Sequence, residues 1–186
     1  MRTAFAALAV LVLLAGCQGI LGERLVDDPA EPAYPDDADA VSIEYRNGLC
    51  NGSCPAFSVE ICGNGTVFYT GFANVNATGL HRYSVPQSNA TAVLNASYRA
   101  DFFALNESYP AQADDISSRW TRVSIGNNSH SIRDYGSSWG TSPERLGEFQ
   151  ATLLERAAVG PLIRGGDRDI DDERYDELEG RMPFCA

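Results

Sequence analysis

The side chains with the widest chemistry in this 186-residue chain are its cysteines, Cys17, Cys50, Cys54, Cys62 and Cys185. Thiolates bind metals, exchange electrons or pair as disulfides, and spacing separates these uses. A structural zinc site needs a close cysteine pair with a second pair or histidines nearby. Cys50 and Cys54 supply one pair, but His81 and His130 do not form the other. Thiol oxidoreductases place Cys-x-x-Cys at a helix N-terminus, whereas Cys54-Pro55 leads into a strand-like run. With Cys17 set aside, four cysteines allow three disulfide connectivities. The turn-rich segment Gly48–Pro55 can close Cys50 on Cys54, which leaves Cys62 for Cys185. A loop as long as that second one is worth up to about 5 kcal/mol in the chain-entropy description.

Other arrangements carry less. Gly136-Ser137-Ser138-Trp139-Gly140 matches the G-x-S-x-G form of a nucleophile elbow, but that motif needs an acid and then a histidine later in the chain. No histidine follows Ser138. Asp114 and Asp115 are adjacent acids in a loop, and His81 sits beside Arg82 as a surface residue would. Tyr109, Trp120 and Trp139 are either core aromatics or part of a recognition surface. Tyr109 and Asp115 are the candidates for a surface site near the Cys50–Cys54 loop. No catalytic residue, cofactor or metal is expected from these patterns.

Cys17 belongs to a different feature. Arg2 precedes an apolar run from Thr3 to Gly16, too short for the roughly 20 residues of a spanning helix and suited to a secretory signal. The run ends in Leu14-Ala15-Gly16-Cys17, which resembles the lipobox of prokaryotic lipoproteins. The resemblance implies cleavage before Cys17, a lipid on its sulfur and stable anchoring by two acyl chains. Residues 1–16 are thus expected to be signal peptide, and 17–40 a lipidated, acidic, disordered tether. The tether is rich in Pro, Asp and Ala and would span on the order of 25 Å as a coil.

Charge follows the same division. The net charge is −11, yet residues 41–159 hold ten acids against eight arginines. Most of the acidity lies in 23–40 and in 160–186, the latter with eight acids and four arginines. No basic patch exists for a nucleic acid. The expected partners are the membrane, through Cys17, and an envelope partner or ligand of unknown identity. All 14 basic residues are arginine, a bias that fits a halophilic or GC-rich source.

Asparagine is used in an unusual way. Seven of the chain's ten asparagines, Asn51, Asn64, Asn76, Asn89, Asn95, Asn106 and Asn127, begin Asn-x-Ser/Thr motifs. Composition alone predicts about one. Several are therefore expected to carry N-glycans, and beside a lipobox this points to an archaeal cell surface.

The elements that must position these residues can be read from periodicity. Val41–Tyr45 alternates apolar and polar residues, as do Phe57, Val59 and Ile61. Gly63-Asn64-Gly65 makes a hairpin turn into Thr66–Thr70, and Leu80–Val85 is a fourth strand. A helix follows, opened by Pro86 and Ser88 and running to about Ala104, with Leu94, Tyr98, Phe102 and Leu105 on one stripe. Arg119–Ile125 and Ser129–Tyr135 form a second hairpin. In the last helix Ser142 is the expected cap, Pro143 opens the first turn, and Gly160-Pro161 ends it. The order β-β-β-β-α-β-β-α predicts an α+β domain over 41–159, a mostly antiparallel sheet with two amphipathic helices on one face. Residues 160–186 form an acidic extension pinned by Cys185.

These landmarks resemble a widespread family of uncharacterised prokaryotic domains. Cys50-Asn51-Gly52-Ser53-Cys54-Pro55-Ala56-Phe57 and Gly63-Asn64-Gly65-Thr66-Val67-Phe68-Tyr69 carry the resemblance, as do Phe102-Phe103-Ala104-Leu105, Tyr135-Gly136 and Pro143-Glu144-Arg145-Leu146. It covers about 41–158 and implies a fold but no activity. Cys62, Cys185, the acidic tail and the sequons lie outside its pattern. Two functional classes remain: an extracytoplasmic, lipid-anchored binding or envelope-interaction module, and an exported enzyme or thiol-redox protein of unknown chemistry. Mild deglycosylation of protein from its source cell should increase gel mobility; a mass equal to the lipidated polypeptide alone would contradict the sequon reading.

Overall fold

The computed structural model describes residues 35, 37–111, 116–136, 140–163 and 184–185. The segment expected to be a signal peptide, Cys17 and most of both acidic flanks lie outside them. Six strands, β1 Val41–Asn47, β2 Ala56–Cys62, β3 Thr66–Ala73, β4 Gly79–Ser84, β5 Arg119–Ile125 and β6 Asn128–Asp134, form one sheet in the order β4-β3-β2-β1-β5-β6. Every pairing is antiparallel. The chain winds outward from β1 to β4, crosses the sheet through α1 (Gln87–Arg99), and returns as β5 beside β1. After β6 come α2 (Glu144–Arg156) and the single turn α3 (Gly160–Ile163). The α+β class and the element order agree with the sequence pattern.

Strand alternation sends Val41, Ile43, Tyr45, Val59, Ile61, Val67, Tyr69 and Val123 to one side. There they meet Val93 and Leu94 of α1 and Leu146, Phe149 and Leu153 of α2 in one buried cluster. Phe102 lies within it, edge-on to Phe149 at 5.2 Å and to His130 at 5.5 Å. Both helices therefore cover the same face, and among the described residues no helix covers the other.

Three local expectations are corrected. The first helix stops at Arg99 rather than about Ala104, because Asp101 adopts the left-handed conformation at φ 51°. A 3-10 turn, Phe102–Ala104, follows and redirects Phe102 into the core. Ser142 does not cap α2; Pro143 occupies the cap position with extended ψ 148° and no side-chain hydrogen bond. Gly160-Pro161 does not end α2 either. Ala157 caps it, Ala158 reverses the chain at φ 56°, and Gly160 instead opens α3.

One sheet edge and one tight approach are managed by backbone. Along β6, Arg133 exchanges main-chain hydrogen bonds with Tyr109 N–H and the Glu107 carbonyl, so a loop covers the exposed edge. At β3, a Cβ on Gly71 would collide with the Ala77 carbonyl oxygen, which fixes the residue as glycine. The left-handed alanine is a position where glycine costs less. Ala158→Gly should raise stability by about 0.5–1 kcal/mol in denaturant titrations, whereas Gly71→Ala should lower it by about 2–3 kcal/mol. A destabilised Ala158→Gly chain would contradict the geometry.

Candidate functional site

The helix-free side of the sheet is built by the other half of each strand's alternation. Register places Glu44 opposite Glu60 on one side and Arg122 on the other, with Phe68 and then Arg82 continuing the row beyond Glu60. A parallel row runs Thr70, Ser58, Arg46, Trp120, Arg133. This surface is charged and aromatic where the opposite one is aliphatic.

Its centre holds a carboxylate with three donors. Glu60, 0 % exposed, accepts from Ser42 Oγ at 2.6 Å, from the Phe184 N–H at 2.6 Å and from the Cys185 N–H at 3.3 Å. Cys185 is bonded to Cys62, two residues along β2 from Glu60, with Cα atoms 5.5 Å apart. Phe184 stacks on Phe68 at 4.9 Å, and the Arg82 guanidinium lies 5.6 Å from the same Phe68 ring. Between these residues, Asp39, Asn64 and Thr66 lies a recess of about 120 Å³.

The neighbouring part of the face is cationic. Trp120 is flanked by two guanidiniums, Arg122 at 4.5 Å and Arg46 at 5.1 Å from its ring. Arg122 also donates to Ser131 Oγ at 3.1 Å, which orients it along the sheet. Arg46 Nε donates to Glu44 at 2.7 Å. Burial pushes the Glu44 carboxyl above its ordinary range; the Arg46 guanidinium opposes that shift without cancelling it, and Glu60 adds to it. Stacking on an indole uses only the planar face of a guanidinium, so its N–H donors point to the side, as Arg46 Nε does toward Glu44 and Arg122 Nε toward Ser131.

A second polar group sits on the helix side and is self-contained. Gln150 of α2 donates to Asp134 at 2.6 Å and to Thr121 at 3.1 Å, while Arg119 donates to Gln150 at 3.2 Å. The other Asp134 oxygen accepts from the Gly136 N–H at 2.7 Å. Burial raises the nearby Tyr45 hydroxyl to about 12, so that hydroxyl stays protonated at neutral pH. With its hydrogen bonds satisfied internally, this cluster locks α2 to the sheet rather than presenting a site.

The sequence candidates fall as follows. Cys50 pairs with Cys54, Cα atoms 5.7 Å apart, and Cys62 with Cys185. Tyr109, a surface candidate in the sequence, is packed in the core, with its hydroxyl accepting from the Asn106 N–H at 3.0 Å. Asp115, Asp114, Ser138, Trp139 and Cys17 lie outside the described residues. His81 meets the Thr78 carbonyl and His130 the Leu105 carbonyl. Among the described residues no group of His, Cys, Asp or Glu has the makings of a metal site. Of the sequon asparagines, Asn51, Asn64, Asn76, Asn106 and Asn127 are exposed, while Asn89 and Asn95 are half-buried on α1. The Asn64, Asn76 and Asn89 amides donate to Asp39, the Pro161 carbonyl and the Arg156 carbonyl.

Sequence reasoning missed Glu60 and the arginine pair around Trp120. Alternation in β1, β2 and β5 placed them on the polar side; what sequence lacked was the register bringing Arg46 opposite Trp120.

Raised burial gives Glu44 a measurable signature. Above the unfolded value of 4.5, the unfolded chain loses this proton before the folded one does. Stability from this group is thus full below that pH and falls as pH rises through the higher folded value. Glu44→Gln should remove that part of the decline in denaturant titrations across pH 4 to 8; an identical pH slope in both chains would contradict the assignment.

Among curated proteins none matches the chain. A family model described as a domain of unknown function matches residues 41–157, from the first residue of β1 to the residue that caps α2. That span holds more than half of the chain, including Glu60, Trp120 and both partners of the first disulfide, and it excludes Cys185. The chain belongs to this family, Domain of unknown function (DUF6438).

Proposed function

We propose that this chain is an extracytoplasmic binding module, anchored to the membrane by lipid on Cys17, that engages an anionic envelope partner through the helix-free face of its sheet. The observation that carries the reading is the stacking of Arg46 and Arg122 about Trp120 on the face that, among the described residues, no helix covers. Tryptophan and arginine are the residues most enriched where binding energy concentrates, because both bury large area and retain directed donors. The near-neutral charge of residues 41–159 makes a local arginine pair stand out from its surroundings.

Two further observations support the location. The four cysteines other than Cys17 pair as disulfides, a state that persists in oxidising compartments. The signal-like start and Leu14-Ala15-Gly16-Cys17 supply export and an attachment point. The disulfides also weigh against a thiol-redox role.

Native protein should sediment with membranes, carry no titratable thiol, and become soluble as Cys17→Ser. The purified domain should bind poly-L-glutamate saturably, with affinity about tenfold weaker in Trp120→Ala/Arg122→Gln. Cytosolic protein with free thiols would overturn the location, and equal binding by the double variant would overturn the assignment of the face.

A further inference from the structure

A groove opens on the helix side of the sheet, away from the arginine face. Tyr98, Asp101, Phe102, Phe103, Ile125 and Asn128 line about 370 Å³ between the end of α1 and the β5–β6 hairpin, within the roughly 300–1,000 Å³ of small-ligand pockets. Its floor is apolar. Phe102 is fully buried, while Tyr98, Phe103 and Ile125 are half-buried and keep part of their surface open. Phe103 is fixed there, edge-on to Phe102 at 6.0 Å and tilted against His130 at 6.3 Å. The His130 ring is itself held at the Leu105 carbonyl at 3.0 Å. Asp101 and Asn128 are exposed and bring a carboxylate and an amide to the same walls.

An aromatic floor with a few hydrogen-bonding groups at its rim suits a pyranose, whose C–H faces are apolar and whose edge carries hydroxyls. The chain has an attachment point for one at the lip. Ile125 and Asn128 are directly paired, so Gly126 and Asn127 make a two-residue turn, with Gly126 at φ 56°. Asn127 is exposed in that turn and begins the sequon Asn127-Asn128-Ser129. It is thus one residue from one wall of the groove and two from another. Of the seven sequon asparagines, only Asn127 is next in sequence to a groove residue. The Asn64, Asn76 and Asn89 amides are instead bonded to Asp39, the Pro161 carbonyl and the Arg156 carbonyl.

We infer that Asn127 is a glycosylation site and that the first sugars of its glycan lie in this groove, stacked on Phe103 and hydrogen-bonded to Asp101 and Asn128. The inference is independent of the arginine face. It takes one of the sequons and gives its glycan a bed in the fold. Attachment forms a bond from Asn127 Nδ2 to C1 of the sugar and breaks the bond from C1 to the oxygen of a polyprenyl-phosphate carrier. The carrier leaves with its phosphate, one amide proton passes to solvent, and the amide keeps its other N–H. A sugar tethered at the lip meets Phe103 at high effective concentration, so weak stacking suffices to hold it. Seated there, the glycan covers an apolar patch that would otherwise face water. It also ties the β5–β6 hairpin to the end of α1.

Three measurements on the full chain made in its source cell test this. Peptide mass mapping should find a glycan on Asn127; an unmodified Asn127 would overturn the inference. Nile red, an uncharged dye that brightens on apolar surface, should gain about threefold in fluorescence with Asn127→Gln, because the patch is then uncovered. The same substitution should lower Tm by roughly 2–4 °C, the shift that one such contact gives in a chain of this size. In a Phe103→Leu chain, which keeps apolar bulk but has no flat ring, Asn127→Gln should lower Tm by less than about a third as much. Equal losses with and without Phe103→Leu, or unchanged dye fluorescence, would overturn the inference by leaving the glycan in solvent. Dye exclusion that varies with protein concentration would also overturn it, since a second copy would then be the cover. So would binding of added free oligosaccharide by the unaltered, glycosylated chain that is lost with Phe103→Leu, which would give the groove to a foreign sugar.

Discussion

A fully buried carboxylate in the middle of a strand is the constraint around which this domain is arranged. A polar side chain at 0 % exposure needs hydrogen-bond partners, because burying it without them costs free energy. Ser42 supplies one donor from the adjoining strand, and the other two are main-chain N–H groups of Phe184 and Cys185. The end of the chain must therefore come back to the helix-free face. Cys62 and Phe68 then secure it, one by a covalent bond and one by ring stacking. Three kinds of interaction, each modest or conditional alone, act on two consecutive residues.

That return divides the molecule into two halves with different tasks. On the helix side, aliphatic strand residues and the stripes of α1 and α2 exclude water, and Asp134, Gln150 and Thr121 add a satisfied polar lock. Rigidity there gives the strands a fixed register. On the other side, register sets the surface: Arg46 and Arg122 meet Trp120 only because β1 and β5 pair as they do. The proposed recognition face is thus carried on strands, whose side-chain spacing is stiffer than that of loops.

Much of the fold was legible in the sequence because it depends on local signals. Alternation marked the first two strands, and Gly63-Asn64-Gly65 marked the hairpin turn into the third. The pairing of Cys62 with Cys185 followed from the compact Cys50–Cys54 loop. The misses share a cause: in each, tertiary packing overrode a local preference. Asp101 takes left-handed backbone so that Phe102 can reach Phe149, a gain that no window of sequence records. Ala158 does the same at the end of α2, where Gly160 had the stronger local signal. Tyr109 was ambiguous because tyrosine suits both a surface and a core, and only the pairing of its neighbours with Arg133 decided it. The face around Glu60 and Trp120 could be read as polar but not as a site, since its members come from β1, β2, β3 and β5 and from the chain's last residues.

The account stands or falls on the chain end being bound to β2. Peptide mapping of native, alkylated, non-reduced protein measures that directly. The structure requires a cross-linked fragment joining Cys62 to Cys185 and an internal Cys50–Cys54 bridge. Alkylated Cys62 or Cys185, or either of them bonded to Cys50 or Cys54, would remove the tether that holds two of the three Glu60 donors and contradict the arrangement.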